Sequence, residues 1–297
     1  MTVWLWAVFT VLAAGGQTLR NVMQRELTNT VGTFGATMVR FLYGLPFAVL
    51  FLVVILTVTG ERLPSISPTA FVWVLFGAMT QIVATAMLLA AMQEKSFVLI
   101  TALNKIEPVH VALFGLVFLG DKLTVPLGLA IVIATLGVMI MSWPKTAGDT
   151  LGMRPILLGL VAGAMFGASA VGYRGAILEL KHPNFVVGAS TILVTGLLVQ
   201  VAAQSIYLLI FNRVTLVALL KAWRPSALAG FLGAFASQMW FLAFALESAA
   251  KVRTLALVEI FFAGLVSRSM FKEGVASREG LGILLIVVGV IILLNWT

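Results

Sequence analysis

The chain has no cysteine and only two histidines, His110 and His182. A disulfide framework and a thiolate metal site are therefore excluded, and we expect neither a metal nor any other cofactor. Charge is scarce as well, because Asp, Glu, Lys and Arg make up 10% of the 297 residues, against about 25% in soluble globular domains. With 61% hydrophobic residues and a mean hydropathy of +1.10, the sequence is typical of an integral membrane protein.

Acidic residues are fewer than basic ones, which leaves a formal net charge of +8. We interpret the basic residues, scattered over short connections, as topology signals and contacts with anionic lipid, so no nucleic-acid partner is expected. Eleven of them fall in the predicted connections on one side of the membrane and six in those on the other. By this count alone both termini lie outside the cell.

The apolar runs predict an all-α integral membrane protein with ten transmembrane helices. A hydrocarbon core about 30 Å thick needs about 20 apolar residues per helix, and the sequence shows no porin-like alternation of polar and apolar residues. The predicted helices cover residues 3–22, 31–57, 70–92, 97–119, 124–143, 154–175, 184–211, 225–246, 252–271 and 277–296.

An internal repeat relates the two halves of the chain. A shift of 152 residues superposes identical residues without a gap: Glu107 on Glu259, Leu113 on Leu265, Gly128 on Gly280 and Gly137 on Gly289. Asp121 falls on Glu273 and keeps its charge. We therefore predict two five-helix repeats, 1–147 and 148–297. Because five crossings are an odd number, the second repeat is inverted, as in transporters that surround one central site.

Glu107 and Glu259 are the leading candidates for a binding site. Glu107 precedes the helix end at Leu119 by about 18 Å, near the middle of the membrane, where a charge costs about 2.5 to 3.5 kcal/mol. The alternative is a protonated, hydrogen-bonded structural glutamate. If 97–119 is one helix, Asn104 and His110 share the face of Glu107, whereas Lys105 points about 160° away.

Other polar residues within the predicted helices are weaker candidates. Pro108 is expected to kink its helix and act as a hinge, while Ile260 in the second repeat predicts a straighter one. Gln81, Gln238 and Trp240 could contact a solute, although polar residues in membranes often only link helices. Arg40 is expected to pair with a carboxylate or extend toward the interface.

The pattern resembles the EamA family of the drug/metabolite transporter superfamily over essentially the whole chain. The residues that carry the resemblance are Arg40-Phe41-Leu42, Glu107-Pro108, Leu119-Gly120-Asp121, Gly128 with Gly137, and in the second copy Glu259, Phe271-Lys272-Glu273, Gly280 and Gly289. The resemblance implies ten helices around a cavity between the repeats, and efflux of small metabolites across the bacterial inner membrane. It also implies cytoplasmic termini, against the count of basic residues.

These observations together predict a secondary transporter of a small polar or cationic organic metabolite, working by alternating access. Export is the expected direction, while proton coupling and uniport are both left open. The partners are the solute and the lipid bilayer, and the oligomeric state is left open. The alternatives are a membrane enzyme acting on a lipid-linked substrate and a non-transporting sensor or assembly subunit. An enzyme would need clustered acidic residues, whereas Asp121, Asp149 and Glu179 are isolated.

Overall fold

The computed structural model describes residues 4–94, 100, 103–142, 153–262 and 277–296, which are helical with short connections and contain no strand. The all-α prediction is confirmed over these ranges. The helices are α1 Leu5–Leu42, α2 Leu45–Thr59, α3 Pro68–Glu94, α4 Glu107–Phe114, α5 Val125–Ser142, α6 Met153–Leu180, α7 Phe185–Phe211, α8 Arg213–Lys221, α9 Trp223–Leu246, α10 Ala249–Leu255 and α11 Ser277–Trp296.

Among the described residues, five stretches are long and apolar enough to cross a membrane. They are Val31–Thr59, Pro68–Glu94, Met153–Leu180, Phe185–Phe211 and Ser226–Leu246. Glu107–Leu119, Val125–Ile140 and Gly280–Trp296 are shorter apolar helices. Large apolar side chains such as Leu50 and Val125 are exposed on the outer surface, as expected of faces that contact lipid. The protein is therefore multi-pass, and ten crossings remain a prediction.

The predicted break between the first two helices was placed wrongly. Gln24-Arg25-Glu26 lies inside α1, and the helix is interrupted later, at Gly32, which has φ 72° and ψ 171°. Only glycine adopts this conformation without strain. The Gln24 side chain donates a 2.8 Å hydrogen bond to the carbonyl of Ala36 beyond the kink. The polar side chain of Gln24 therefore stabilises the kink. The prediction of a surface connection at this point was wrong.

The predicted helix 97–119 is also interrupted, because the described chain turns at Lys105 and Ile106. A new helix, α4, begins at Glu107 with Pro108 in its first turn, where the missing N–H of proline costs no hydrogen bond. The helix continues as a π-helix, Gly115–Leu119. In the second half, a 3₁₀ segment, Ala256–Val258, follows α10, and the straighter helix expected around Ile260 stays a prediction.

A further short helix, α8, occupies a stretch that was predicted to be a connection. Asn212 caps it by accepting a 3.1 Å hydrogen bond from the Thr215 N–H. Several predictions fall outside the described residues: the helix start at 97, the helix ends at 143 and 271, the boundary between the halves at 147, and the matches at Leu265 and Glu273.

The main helix contacts join the first half of the chain to the second. α1 packs along α9, α3 along α6, and α5 along α11. The α5–α11 contact is closest at two glycines: a Cβ on Gly137 would lie 2.7 Å from the carbonyl oxygen of Gly282, and one on Gly289 would lie 2.7 Å from Ala134 Cβ. These helices approach each other because neither glycine has a side chain.

We expect Gly137→Ala and Gly289→Ala each to lower stability by about 1 to 3 kcal/mol, because the added methyl group overpacks the contact. Gly128→Ala and Gly280→Ala are matched controls, since a Cβ at either position meets nothing within 4 Å. Thermal unfolding of the purified protein in detergent measures the difference. Equal stability of all four variants would contradict this packing.

Candidate functional site

A small cavity of about 20 Å³ lies where the two halves of the chain meet. Its walls come from α1, α3, the segment around the turn before α4, α6, and the region from α10 to Glu259. The lining residues are Gln17, Arg20, Asn21, Leu88, Asn104, Lys105, Glu107, Phe166, Arg253 and Glu259. Most of this wall is polar, although apolar helices surround it.

Two ion pairs cross the cavity between the halves. Lys105 Nζ, from the first half, binds Glu259 Oε2 of the second, and both side chains are at most 5% exposed. Arg253 Nε, from the second half, lies 3.0 Å from Glu107 Oε1 of the first. Each carboxylate is therefore neutralised by a cation from the opposite half.

The pair at Glu259 is extended by a chain of contacts to α9. Gln17 Nε2 donates a 2.9 Å hydrogen bond to Glu259 Oε2, and Gln17 Oε1 accepts one of 3.1 Å from Trp240 Nε1. The Trp240 ring in turn lies 4.3 Å from the Arg253 guanidinium carbon, a favourable cation–π distance. Trp240 therefore lies next to the cavity and links the two ion pairs through its contacts with Gln17 and Arg253.

Several polar atoms at the cavity have no hydrogen-bond partner. Arg20 Nη2 donates a 2.7 Å hydrogen bond to Asn21 Oδ1, but its Nε and Nη1 have no partner, and neither does Asn104 Oδ1. Glu107 Oε1 and Arg253 Nε are close but not aligned for a hydrogen bond. Buried polar groups are nearly always hydrogen-bonded, so these atoms indicate a place for a bound polar molecule.

The sequence model of the EamA-like transporter family matches residues 3–143. The matched segment belongs to the EamA-like transporter family. The resemblance to the drug/metabolite transporter superfamily is thereby confirmed for this segment, and it indicates a membrane transporter. Nearly the whole EamA-like chain also shares its fold with a solved structure titled "Crystal structure of protein", with a TM-score of 0.71, 12% identity, and coverage of 98% of this chain and 95% of that one. No curated protein matches at a significant level.

Of the predicted site residues, the structure places Glu107, Glu259 and Asn104 in the cavity of this EamA-like protein. His110 does not line it: the residue packs against Gly167, where a Cβ would lie 3.2 Å from His110 Cβ. The shared face of Asn104, Glu107 and His110 assumed a continuous helix. The turn before α4 separates Asn104 from the helix that carries His110.

Gln81 and Gln238 do not line the cavity either. Gln81 Oε1 accepts a 2.7 Å hydrogen bond from Gln200, and Gln238 Nε2 donates one of 2.8 Å to Ser190 Oγ. Both link neighbouring helices, which is the structural role that had been left open for them. Pro108 begins α4 directly beside Glu107, and its role as a hinge stays a prediction.

The sequence analysis missed Arg20 and Arg253, which were counted as basic residues of connections. Both are buried, at 2% and 7% exposure, and both line the cavity. They fell inside the predicted helices 3–22 and 252–271, and that position was the signal available. Leaving them out lowers the count of basic residues in the predicted connections by one on each side of the membrane. The same side therefore keeps the larger number.

Lys105 and Arg40 also differ from expectation. Lys105 lies in the same cavity as Glu107, because the turn at Lys105 and Ile106 removes the angular separation of a regular helix. Arg40 is buried and donates a 3.1 Å hydrogen bond to Thr85 Oγ1; its expected carboxylate partner was wrong. Over the described ranges, no group of three or more His, Asp or Glu residues is placed to hold a metal ion.

Proposed function

We propose that this protein is a secondary transporter that moves a small polar organic solute through the central cavity by alternating access. The observation that carries the proposal is the pair of crossed ion contacts, Lys105 with Glu259 and Arg253 with Glu107. Buried charges are costly in a membrane and mark solute or ion pathways. Because each pair joins the two halves, movement of one half against the other must exchange these contacts.

The helix contacts support an inverted repeat with halves 1–147 and 148–297. Under the 152-residue shift, the pairing of α1 with α9 becomes that of α6 with α3, while α5 and α11 exchange places. The glycines follow the same rule. Gly137 approaches Gly282 and Ile286, and Gly289 approaches their repeat equivalents, Ala130 and Ala134. A two-fold axis between the halves generates this pattern, and an odd number of crossings makes the relation an inversion.

The inverted repeat places Glu61 and its repeat equivalent Arg213 on opposite sides of the membrane. Both residues are exposed, and the absence of native cysteine allows a single cysteine to be introduced at either position. In sealed vesicles, we expect an impermeant maleimide to label Glu61→Cys from one side and Arg213→Cys from the other. Labelling of both from the same side would contradict the inversion.

The residues around the cavity have distinct proposed roles. Glu107 and Glu259 link the halves and accept a proton or a cationic group in place of Arg253 or Lys105. Asn104 hydrogen-bonds the solute, and Pro108 is the hinge beside Glu107. The family resemblance favours export across the bacterial inner membrane with cytoplasmic termini.

We expect Glu107→Gln and Glu259→Gln each to reduce solute flux by about tenfold or more, since each leaves a buried cation without its partner, a loss of about 3 to 5 kcal/mol. Flux is measured in proteoliposomes with a solute first identified by thermal stabilisation of the purified protein.

The matched control for these variants is Glu94→Gln, which removes a carboxylate whose ion pair, with the 78% exposed Arg154, lies away from the cavity. We expect it to keep its flux. Each variant must elute as a folded, monodisperse species before its flux is compared. Full activity of the Glu107→Gln, Glu259→Gln double variant would rule out this site.

A further inference from the structure

We infer that the cavity recognises a small organic carboxylate, whose carboxylate group binds Arg20. The inference rests on the proposed transport function and names the class of solute. It replaces a cationic solute with an anionic one, because both glutamates already form ion pairs. Among the described residues that line the cavity, Arg20 is the cation with no carboxylate within ion-pair distance.

Arg20 is a buried residue with N–H groups that no described residue accepts a hydrogen bond from. It is 2% exposed, it lines the cavity, and its Nε and Nη1 have no hydrogen-bond partner. Asn21 Oδ1 holds Nη2 at 2.7 Å and so fixes the plane of the guanidinium. A planar guanidinium with unused N–H groups matches the two oxygens of a carboxylate, and such charge-assisted hydrogen bonds are the strong ones.

The charges of the cavity lead to the same conclusion. Its walls contain three cations and two carboxylates, and both carboxylates already contact Lys105 or Arg253. One positive charge is left over, and protonation of either glutamate would increase the excess. Arg40, buried behind the cavity and bonded to the neutral Thr85, adds to it. A bound anion neutralises this excess, whereas a bound cation would raise it.

Asn104 adds a second requirement. Its Oδ1 lines the same cavity, is buried and has no partner, so it is available to accept a hydrogen bond from the solute. The solute that satisfies both residues carries a carboxylate and, elsewhere, an O–H or N–H donor. The cavity has a volume of about 20 Å³ in this conformation, about the space of one water molecule, so it must widen to admit even a small solute.

Matched probes separate charge from shape. Lactate, lactamide and 1-amino-2-propanol share a hydroxyl group and differ in carrying an anion, a neutral amide or a cation; mandelate and mandelamide extend the series. Thermal stabilisation of the full-length protein in detergent measures binding. We expect the carboxylates to stabilise the protein and the amides and the amine not to do so. Inorganic phosphate is included to distinguish a carboxylate site from a general oxyanion site.

Variants of Arg20 locate the binding. Arg20→Gln should weaken carboxylate binding by about tenfold or more, because truncating one partner of a buried charge pair is costly. Arg20→Lys keeps the charge without the planar donors, so we expect partial retention. If Arg20→Gln does not fold, the decrease in carboxylate binding by Arg20→Lys relative to the parent protein tests the inference. Arg154→Gln, a change of an arginine that is 78% exposed, is the control and should bind as the parent does.

Stabilisation by the amine alone, by phosphate alone or by none of the carboxylates would overturn the inference, as would carboxylate binding that is unchanged in both Arg20 variants. These results are separable from a failure of the transport proposal. Arg20-dependent carboxylate binding without flux in proteoliposomes would contradict transport alone. Flux of an amine that is unaffected by Arg20→Lys would contradict the carboxylate assignment and leave transport standing.

Discussion

The structure depends on the neutralisation of two carboxylates that are buried among apolar helices. A lone buried charge is strongly unfavourable, and removing one partner of a buried pair costs about 3 to 5 kcal/mol. Here each glutamate finds its cation in the other half of the chain. Each half also supplies a cation of its own to the cavity, but the ion pairs form between the halves. The electrostatic requirement therefore holds the halves together and fixes the position of the cavity between them.

Interruptions of the helices make this arrangement possible. In a regular helix, Lys105 and Glu107 would point in nearly opposite directions, but the turn before α4 brings both to one cavity. The 3₁₀ segment Ala256–Val258 separates Arg253 from Glu259 in the second half. The same places give the backbone freedom to move, because short irregular segments absorb conformational change more readily than packed helices do. The ion-pair residues and the irregular backbone are thus located in the same two segments.

The sequence predicted the features that follow from composition and from polar residues within apolar runs. Glu107, Glu259 and Asn104 were identified because polar groups inside apolar runs are conspicuous, and EamA membership followed from motifs around them. Arg20 was missed because the predicted helix ended at residue 22, which put Arg20 near a connection, whereas α1 continues past Gln24 to Gly32. Arg253 has no charged equivalent under the 152-residue shift, so the predicted duplication did not reveal it. Contacts of Gln81 and Gln238 with other helices depend on tertiary packing, which periodicity alone does not determine.

Charge reversal across one ion pair is the most direct measurement of the central claim. Lys105→Glu and Glu259→Lys each place two like charges together, so each should lower the unfolding temperature of the purified protein. The double variant restores an opposite-charge pair in the reversed orientation. We expect it to recover most of the lost stability, because the two residues act as a coupled pair. If the decrease in unfolding temperature of the double variant equals the sum of the decreases in the two single variants, the result would contradict an ion pair between the halves.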